Sequence, residues 1–171
     1  MSAYVPAVAR VLVLHDGRRE AGLEVVAARE LPDGNTIQSG AITDDEGIAT
    51  IPKLYPGTWR FAVSDAGGAW ESPIPGEHLL GPGDDVELRA DVRTAAGRVV
   101  VVDENGEPVR RHRLDMRLSY VIHGVTTDSE GGLDLTLCTG EHTLTDRDGR
   151  SCTLEWTESG PTTEKVVLVE R

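Results

Sequence analysis

Apolar side chains occupy every second position along several segments of this chain, with polar or charged side chains between them. One such stripe consists of Leu114, Met116, Leu118 and Tyr120. The segments 58–63, 132–138 and 151–157 alternate in the same way. Successive side chains of a strand point to opposite faces of a sheet, so strict alternation places the apolar members on a buried face. A period of two, with no helical window between the segments, predicts an all-β fold.

Turn-forming pairs such as Asn105-Gly106 and Asp148-Gly149 separate the alternating segments. Strands that recur at roughly 8–12 residues with turns between them are typical of a β-sandwich, so we predict about seven strands in each half of the chain. Those of the first half are expected at 8–14, 23–29, 36–43, 47–54, 58–64, 69–72 and 85–91. Those of the second half are expected at 97–103, 113–120, 121–127, 132–138, 141–146, 151–157 and 163–170.

The two halves of the chain repeat one another. The acidic turn at 42–47, for example, is matched by the turn at 126–131. Solenoid repeats are about 20–50 residues long, whereas a longer unit can enclose a core of its own. The sequence therefore predicts two tandem domains with a short connector at 92–96 between them. The predicted domains are residues 1–92 and 93–171.

Three turn motifs resemble those of the carboxypeptidase regulatory-like domain, a transthyretin-like β-sandwich. They are Gly97-Arg98-Val99 leading to Pro108, Thr126-Thr127-Asp128-Ser129-Glu130-Gly131, and Pro56-Gly57-Thr58-Trp59. The second half departs from the pattern at 139–142, where Thr-Gly-Glu-His stands in place of Pro-Gly-Thr-aromatic. The resemblance implies two tandem Ig-like or transthyretin-like sandwiches. It also implies a non-catalytic accessory unit of the kind attached to enzymes, receptors, adhesins or particle proteins.

The charge balance narrows the classes of partner. Lys and Arg number 17 against 29 Asp and Glu, which gives a formal net charge of −12. Nucleic acid is disfavoured as a partner because neutralising phosphates requires a basic face. No apolar run approaches the roughly 20 residues of a membrane-spanning helix, and no signal peptide is recognisable. We therefore expect a cytoplasmic or particle-associated protein.

Four acidic turns and five scattered histidines are the candidates for metal chemistry. The turns are Asp44–Gly47, Asp103–Gly106, Asp128–Gly131 and Asp146–Gly149. A calcium loop is the less favoured interpretation, because none has the Asp-x-Asp-x-Asp-Gly spacing. We predict β-turns in which the Asp side chain accepts hydrogen bonds from backbone amides and the Gly has a positive φ. No histidine pair has zinc spacing and no catalytic motif is present, so we predict no enzyme activity, no metal and no cofactor.

The two cysteines, Cys138 and Cys152, fall in the second half of the chain. The alternation places them on opposite faces, which makes a disulfide bond between them awkward. Free thiols in a reducing compartment are favoured over a disulfide.

Two features are candidate protein-docking elements. The first is a basic patch, the one concentration of positive charge on an acidic chain, formed by Arg110, Arg111, Arg113 and Arg117. Arg113 and Arg117 alternate with the apolar stripe, so they are expected on the outward face of a strand. A solvated edge that blocks sheet pairing is the structural alternative to a docking patch for an acidic neighbour, such as the first domain of another copy. The second feature is a loop at 72–83 that is stiffened by prolines, with candidate docking residues Pro73, Pro75, Leu79 and Leu80.

Trp70 is the candidate for glycan binding. It lies between Gly67-Gly68 and Pro73, so we expect its ring near the surface. We predict foremost a non-enzymatic structural or interaction protein that docks onto a virion, a phage-tail-like particle or a cell-envelope complex, through protein partners or self-association. A carbohydrate-binding or adhesin-type module that uses Trp70 is the alternative.

Overall fold

The computed structural model describes residues 5–118 and 122–170, and its regular elements are all β-strands. Eight strands lie in the first half: β1 (Ala7–His15), β2 (Arg18–Arg19), β3 (Glu24–Glu30), β4 (Thr36–Ile42), β5 (Ile48–Leu54), β6 (Gly57–Ser64), β7 (Glu71–Leu80) and β8 (Asp85–Val92). Eight follow in the second half: β9 (Thr94–Val102), β10 (Arg113–Arg117), β11 (Ile122–Thr126), β12 (Gly132–Cys138), β13 (Gly140–Thr145), β14 (Ser151–Thr157), β15 (Gly160–Pro161) and β16 (Lys165–Val167). The predicted all-β class is confirmed.

The chain divides into two compact units. The first contains the described residues up to Gly67 together with Ser72–Val92. The second contains Gly68–Glu71 and the described residues from Arg93 onward.

Apart from the two-residue strands β2 and β15, the two units have the same strand order. In the first, β1 pairs with β5 antiparallel and with β8 parallel, and a second sheet has the order β4-β3-β6-β7. In the second, β9 pairs with β12 antiparallel and with β16 parallel, and the other sheet has the order β11-β10-β13-β14-β15. Strand β9 thus takes the place of β1, and β10 that of β3. The sequence repeat is therefore a repeat of topology.

Alternating stripes from both sheets form the core of the second unit. On β10, Leu114 and Met116 are buried, whereas Arg113 and Arg117 are exposed. The buried cluster consists of Val99, Val101, Leu114, Met116, Leu118, Leu133, Leu135, Leu137, Leu144, Cys152, Leu154, Trp156, Val166 and Leu168. Each fully buried aliphatic side chain contributes about 1.5–3 kcal/mol to folding. Tyr120, the last member of the predicted stripe, lies outside the described residues.

The acidic turns have the predicted geometry. The Oδ1 atom of Asp44 accepts hydrogen bonds from the amides of Glu46 and Ile48, at 3.0 and 2.9 Å. The Oδ1 atoms of Asp103, Asp128 and Asp146 each accept hydrogen bonds from two backbone amides in the same way. The glycine of every one of these turns has a positive φ, between 73° and 87°. These carboxylates are therefore turn-closing groups.

Two regions predicted as irregular are strands. The predicted loop at 72–83 is largely the ten-residue strand β7, which neighbours β6 at one end of its sheet. The prolines suggested a loop, but an end strand needs its amides on one side only and so tolerates Pro. The predicted connector at 92–96 is also mostly strand, because β8 ends at Val92 and β9 begins at Thr94.

Candidate protein-docking surface

The four arginines at 110–117, named here the arginine stripe, lie on β10 of the second unit's larger sheet, between β11 and β13, and in the turn that precedes β10. Arg110 and Arg111 occupy the turn before β10, and Arg113 and Arg117 are the first and last residues of that strand. All four side chains are exposed. The outward position predicted for Arg113 and Arg117 is confirmed.

The backbone that carries the stripe is held in place by Thr127. The Thr127 hydroxyl donates to the carbonyl of Val109 at 2.6 Å and accepts from the amide of His112 at 2.9 Å. The amide of Arg111 donates to the carbonyl of Asp128 at 3.0 Å. Arg111 itself has φ 50°, a left-handed conformation that is uncommon for a residue other than glycine. The turn therefore presents Arg110 and Arg111 from a fixed backbone.

The guanidinium groups of the stripe are largely unpaired. Within the described residues, no carboxylate lies within 4.0 Å of Arg110, Arg111 or Arg117. Arg113 has one partner, Asp115, at 3.3 Å. Most other exposed arginines of the described residues have a carboxylate partner, as in the contact of 2.6 Å between Arg10 and Asp85, and Arg18 is an exception. The segment 110–117 thus carries a local excess of positive charge on an acidic chain.

A polar groove of about 520 Å³ adjoins the stripe on the outer face of the same sheet. Its lining residues are Asp115, Arg117, Ile122, Thr143, Thr145 and Asp146. Register explains the grouping, because Asp115 is directly opposite Thr145, and Arg117 is opposite Ile122. The groove combines a carboxylate, a guanidinium and hydroxyl groups with one exposed apolar side chain.

One lining residue of the groove, Asp146, has a buried carboxylate. The Asp146 side chain has no exposed surface and contacts Arg150 at 2.8 Å and the His112 ring at 3.1 Å. Burial by itself raises the pKa of this carboxyl, but hydrogen bonds from Arg150, His112 and the amides of Arg150 and Asp148 outweigh it and hold the pKa below its ordinary value. The ionised Asp146 therefore ties His112, which lies inside the stripe, to the turn after β13.

The other predicted site residues lie elsewhere. Pro73, Pro75 and Leu79 are exposed on β7, with Leu79 77% exposed, whereas Leu80 is buried. Trp70 is 4% exposed, which leaves no open ring face for stacking on a sugar. This burial contradicts the expectation of a glycan platform at Trp70, because the indole is packed against other residues and is not open to a sugar. Stacking on a sugar needs an exposed face.

The described residues meet the requirements neither of a metal site nor of a membrane-spanning helix. Among them, no group of three or more His, Cys, Asp or Glu side chains is arranged to hold a metal ion. The part of the chain that the structure describes contains no helix with the length and apolar character needed to cross a membrane. Cys138 and Cys152 are buried and form no disulfide bond with each other.

Sequence reasoning missed the groove and the Asp146 network. His112 and Asp146 are 34 residues apart, and no spacing links them. The one available signal was a histidine within an arginine run, which reads equally well as a solvated surface.

Comparisons with known proteins give distant likenesses. No protein-family model matches the sequence, and no curated protein sequence matches it significantly. In solved structures, the chain is similar to the Bacillus anthracis TIE protein, with 16% identity and a TM-score of 0.39 over 98% of this chain. The chain spans only 34% of that protein's length.

Two pilins are similar at the same level. A minor pilin of Streptococcus agalactiae is 12% identical with a TM-score of 0.41, covering 96% of this chain and 97% of the pilin. A shaft pilin of Lactobacillus rhamnosus is 10% identical with a TM-score of 0.34, covering 99% of this chain and 98% of the pilin. Likenesses of this degree transfer no function, so the function must be sought in the residues of this chain.

Proposed function

We propose that the protein is a non-enzymatic structural or interaction subunit that docks through the arginine stripe onto an acidic surface of a larger assembly. The observation that carries the proposal is the concentration of unpaired guanidinium groups at 110–117 on a chain of net charge −12. A virion, a phage-tail-like particle or a cell-envelope complex is the kind of assembly that we propose, which makes the protein particle-associated.

Electrostatics supports an acidic partner. Arginine presents a planar fork of donors that matches a carboxylate, so unpaired arginines are well suited to bidentate contacts across an interface. Complementary charge also accelerates and orients association, and salt weakens it. The pinned backbone at Arg111 and His112 reduces the entropy that ordering this surface would cost on binding.

The resemblance to the carboxypeptidase regulatory-like domain also supports the proposal. We propose that both units belong to this family, whose members are generally accessory units without catalytic groups. The shared turn motifs and the repeated topology are consistent with that membership. In such folds the apolar stripes are buried in the core, so partners are recognised by residues at the rims and in the loops.

Co-sedimentation tests the proposal. Purified protein is mixed with the pelletable particle or envelope fraction of the native source at low and high salt. The test variant carries Arg110→Glu, Arg111→Glu and Arg117→Glu. We expect the wild type to pellet at low salt and the variant to stay in the supernatant. We expect 0.5 M NaCl to release the wild type, because the Debye length is then about fourfold shorter than at 0.03 M.

A second triple variant with the same charge change is the control. Arg18, Arg93 and Arg147 are exposed arginines outside the stripe. Replacing all three by Glu should leave sedimentation within about twofold of the wild type, because charge at these positions is not part of the docking surface. Equal loss in the two variants, or a wild type that never pellets, would contradict docking through the stripe.

A carbohydrate-binding module is the second candidate, and the groove rather than Trp70 favours it. Asp115, Arg117 and the hydroxyls of Thr143 and Thr145 supply the donors and acceptors that a sugar needs, beside the exposed Ile122. Glycan-array binding that is lost on Asp115→Asn but kept on Arg110→Glu would favour this candidate. Flat binding across polysaccharides would remove it.

A further inference from the structure

Strand β4 is an end strand that carries no charged residue. Its sequence is Thr-Ile-Gln-Ser-Gly-Ala-Ile, whereas a chain with 27% charged residues would place about two charges in seven positions. Among the described strands, β4 pairs with β3 alone. In an antiparallel pair, alternate residues point their amide and carbonyl groups away from the partner strand. The free side of β4 therefore offers a row of unpaired backbone donors and acceptors.

The other long end strands carry features that discourage strand addition. Prolines and charged side chains are common means of protecting such an edge. These protecting residues are Pro52 and Lys53 in β5, Pro73 and Pro75 in β7, Asp85, Glu87, Arg89 and Asp91 in β8, and Asp134 in β12. The uncharged strand β11 holds the equivalent place in the second unit, and its described part, Ile122–Thr126, is two residues shorter. By this comparison β4 is the longest unprotected edge in the described part of the chain.

Acidic turns border β4 at both ends. At the start lies Asp33, which accepts hydrogen bonds from the backbone amide and the side chain of Asn35. These bonds hold the pKa of Asp33 below its ordinary value, so its carboxylate stays charged. At the other end lie Asp44, Asp45 and Glu46, of which Asp45 has no ion-pair partner among the described residues. A strand that fits here needs positive charge at its ends.

One face of β4 is incompletely covered. Ile37, Ser39 and Ala41 are half-buried and face the same side as the buried Val25 and Ala27 of β3. A neighbouring strand would complete that cover. At about 3.4 Å per residue, seven residues span roughly 24 Å, which sets the length of the segment that the edge accommodates.

We propose that β4 binds an extended peptide segment, uncharged over about seven residues and bearing Lys or Arg at both ends, which adds as a fifth strand to the sheet β4-β3-β6-β7. Backbone hydrogen bonds supply the affinity, and the two acidic turns select the basic ends. A second copy of this chain fits less well, because antiparallel pairing of two β4 strands would bring Asp44 of each copy towards Asp33 of the other. The proposal does not rest on the arginine stripe.

A synthetic peptide provides the test. The probe is fluorescein-labelled Lys-Lys-Thr-Val-Thr-Val-Thr-Val-Thr-Lys-Lys, and a peptide with Glu in place of each Lys is its matched control. Binding is followed by fluorescence anisotropy, and hydrogen exchange locates the site. We expect saturable binding of the Lys peptide, little binding of the Glu peptide, and new protection of the amides at 36–42.

Two double variants distinguish the edge from general attraction to an acidic protein. Gln38→Lys with Ile42→Lys places two charges at exposed positions of β4, and Ile42 is 55% exposed, so folding should survive. Pro75→Lys with Leu79→Lys makes the same net-charge change on exposed positions of β7. We expect the β4 variant to weaken binding at least about tenfold and the β7 variant to leave it within about twofold.

The proposal is overturned if the two double variants bind the peptide equally, or if the wild type shows no saturable binding. It is also overturned if β4 proves to be occupied by a second copy, seen as a dimer that the β4 variant dissociates. The triple variant of the arginine stripe should bind the peptide as tightly as the wild type. Peptide binding and assembly docking can therefore fail independently.

Discussion

Gly97 lies directly against Trp156 in the second unit. A Cβ atom on residue 97 would stand 3.0 Å from Cζ2 of the indole and 2.3 Å from Cδ of Pro161. The indole cannot withdraw freely, because its Nε1 donates to the carbonyl of Ala95 at 2.7 Å. Strand β9 can therefore pass the indole only where it has no side chain.

Gly97→Ala should lower the free energy of unfolding by about 1–3 kcal/mol, the usual cost of overpacking a filled core. Urea denaturation followed by near-UV circular dichroism measures the change. Ala96→Ser, at the exposed neighbouring position, is the control and should stay within about 0.5 kcal/mol of the wild type. A Gly97→Ala protein as stable as this control would show that the indole and Pro161 can move.

Thr43 and Thr127 are equivalent buried clamps in the two units. Each hydroxyl donates to a carbonyl, of Glu20 at 2.7 Å and of Val109 at 2.6 Å, and accepts an amide, of Leu23 and of His112. Replacing either threonine by Val removes both hydrogen bonds of a buried hydroxyl, so we expect a loss of about 1–3 kcal/mol in each variant. Urea denaturation measures it. Thr→Ser at the same positions keeps the hydroxyl and should recover most of the loss.

We expect the protonation of Asp128 to lower the stability of the folded protein in acid. A hydrogen bond from the Arg98 guanidinium, followed by the amides of Gly132 and Glu130, lowers the pKa of this carboxyl from 3.8 to about 2. Because the folded state favours the charged form, the stabilisation is complete above pH 3.8 and disappears as the pH falls towards 2. Asp128→Asn should flatten the fall of the melting temperature between pH 4 and 2.

The matched control for this acid effect is Asp45→Asn, at an exposed residue of the equivalent turn in the first unit. Its profile of melting temperature against pH should follow that of the wild type. Parallel profiles for Asp128→Asn and the wild type would contradict the contribution of the Arg98 hydrogen bond.

Cys152 should react slowly in the folded protein. Burial raises the pKa of its thiol from 9.0 to about 11, so the thiolate that attacks disulfide reagents is scarce at pH 8. In a Cys138→Ala background, the reaction with a chromogenic disulfide should be at least about a hundredfold slower in native than in urea-unfolded protein, since each pKa unit changes the thiolate fraction about tenfold. Similar rates in the two states would mean that the thiol is accessible and ionised.

Particular residues show how far sequence reasoning reached. Leu114 and Met116 alternate with the polar residues Arg113, Asp115 and Arg117. Because a strand has a period of two, this alternation fixes which side of β10 faces the core. Asp44 and Gly47 made their turn predictable from the sequence. The Asp44 carboxylate accepts a hydrogen bond from the backbone amide two residues later, so the turn is closed by a local contact. Both predictions depend only on neighbours in the chain.

Predictions that depended on distant neighbours fared differently. Pro73 and Pro75 indicated a loop, and only the position of β7 at the end of its sheet makes them compatible with a strand. Trp70 gave no sequence signal of its 4% exposure. The contact between Asp146 and His112 joins residues whose separation follows no pattern.

The sequence by itself determined the strands, their buried faces, the closed acidic turns and the duplication, because these depend on alternation and on contacts within a few residues. The tertiary structure alone decided which strands became edges, which arginines kept no carboxylate partner and which aromatic rings were buried. Those properties arise from pairing between segments far apart in the chain. The unprotected β4 and the arginine stripe, on which both proposals rest, are of this second kind.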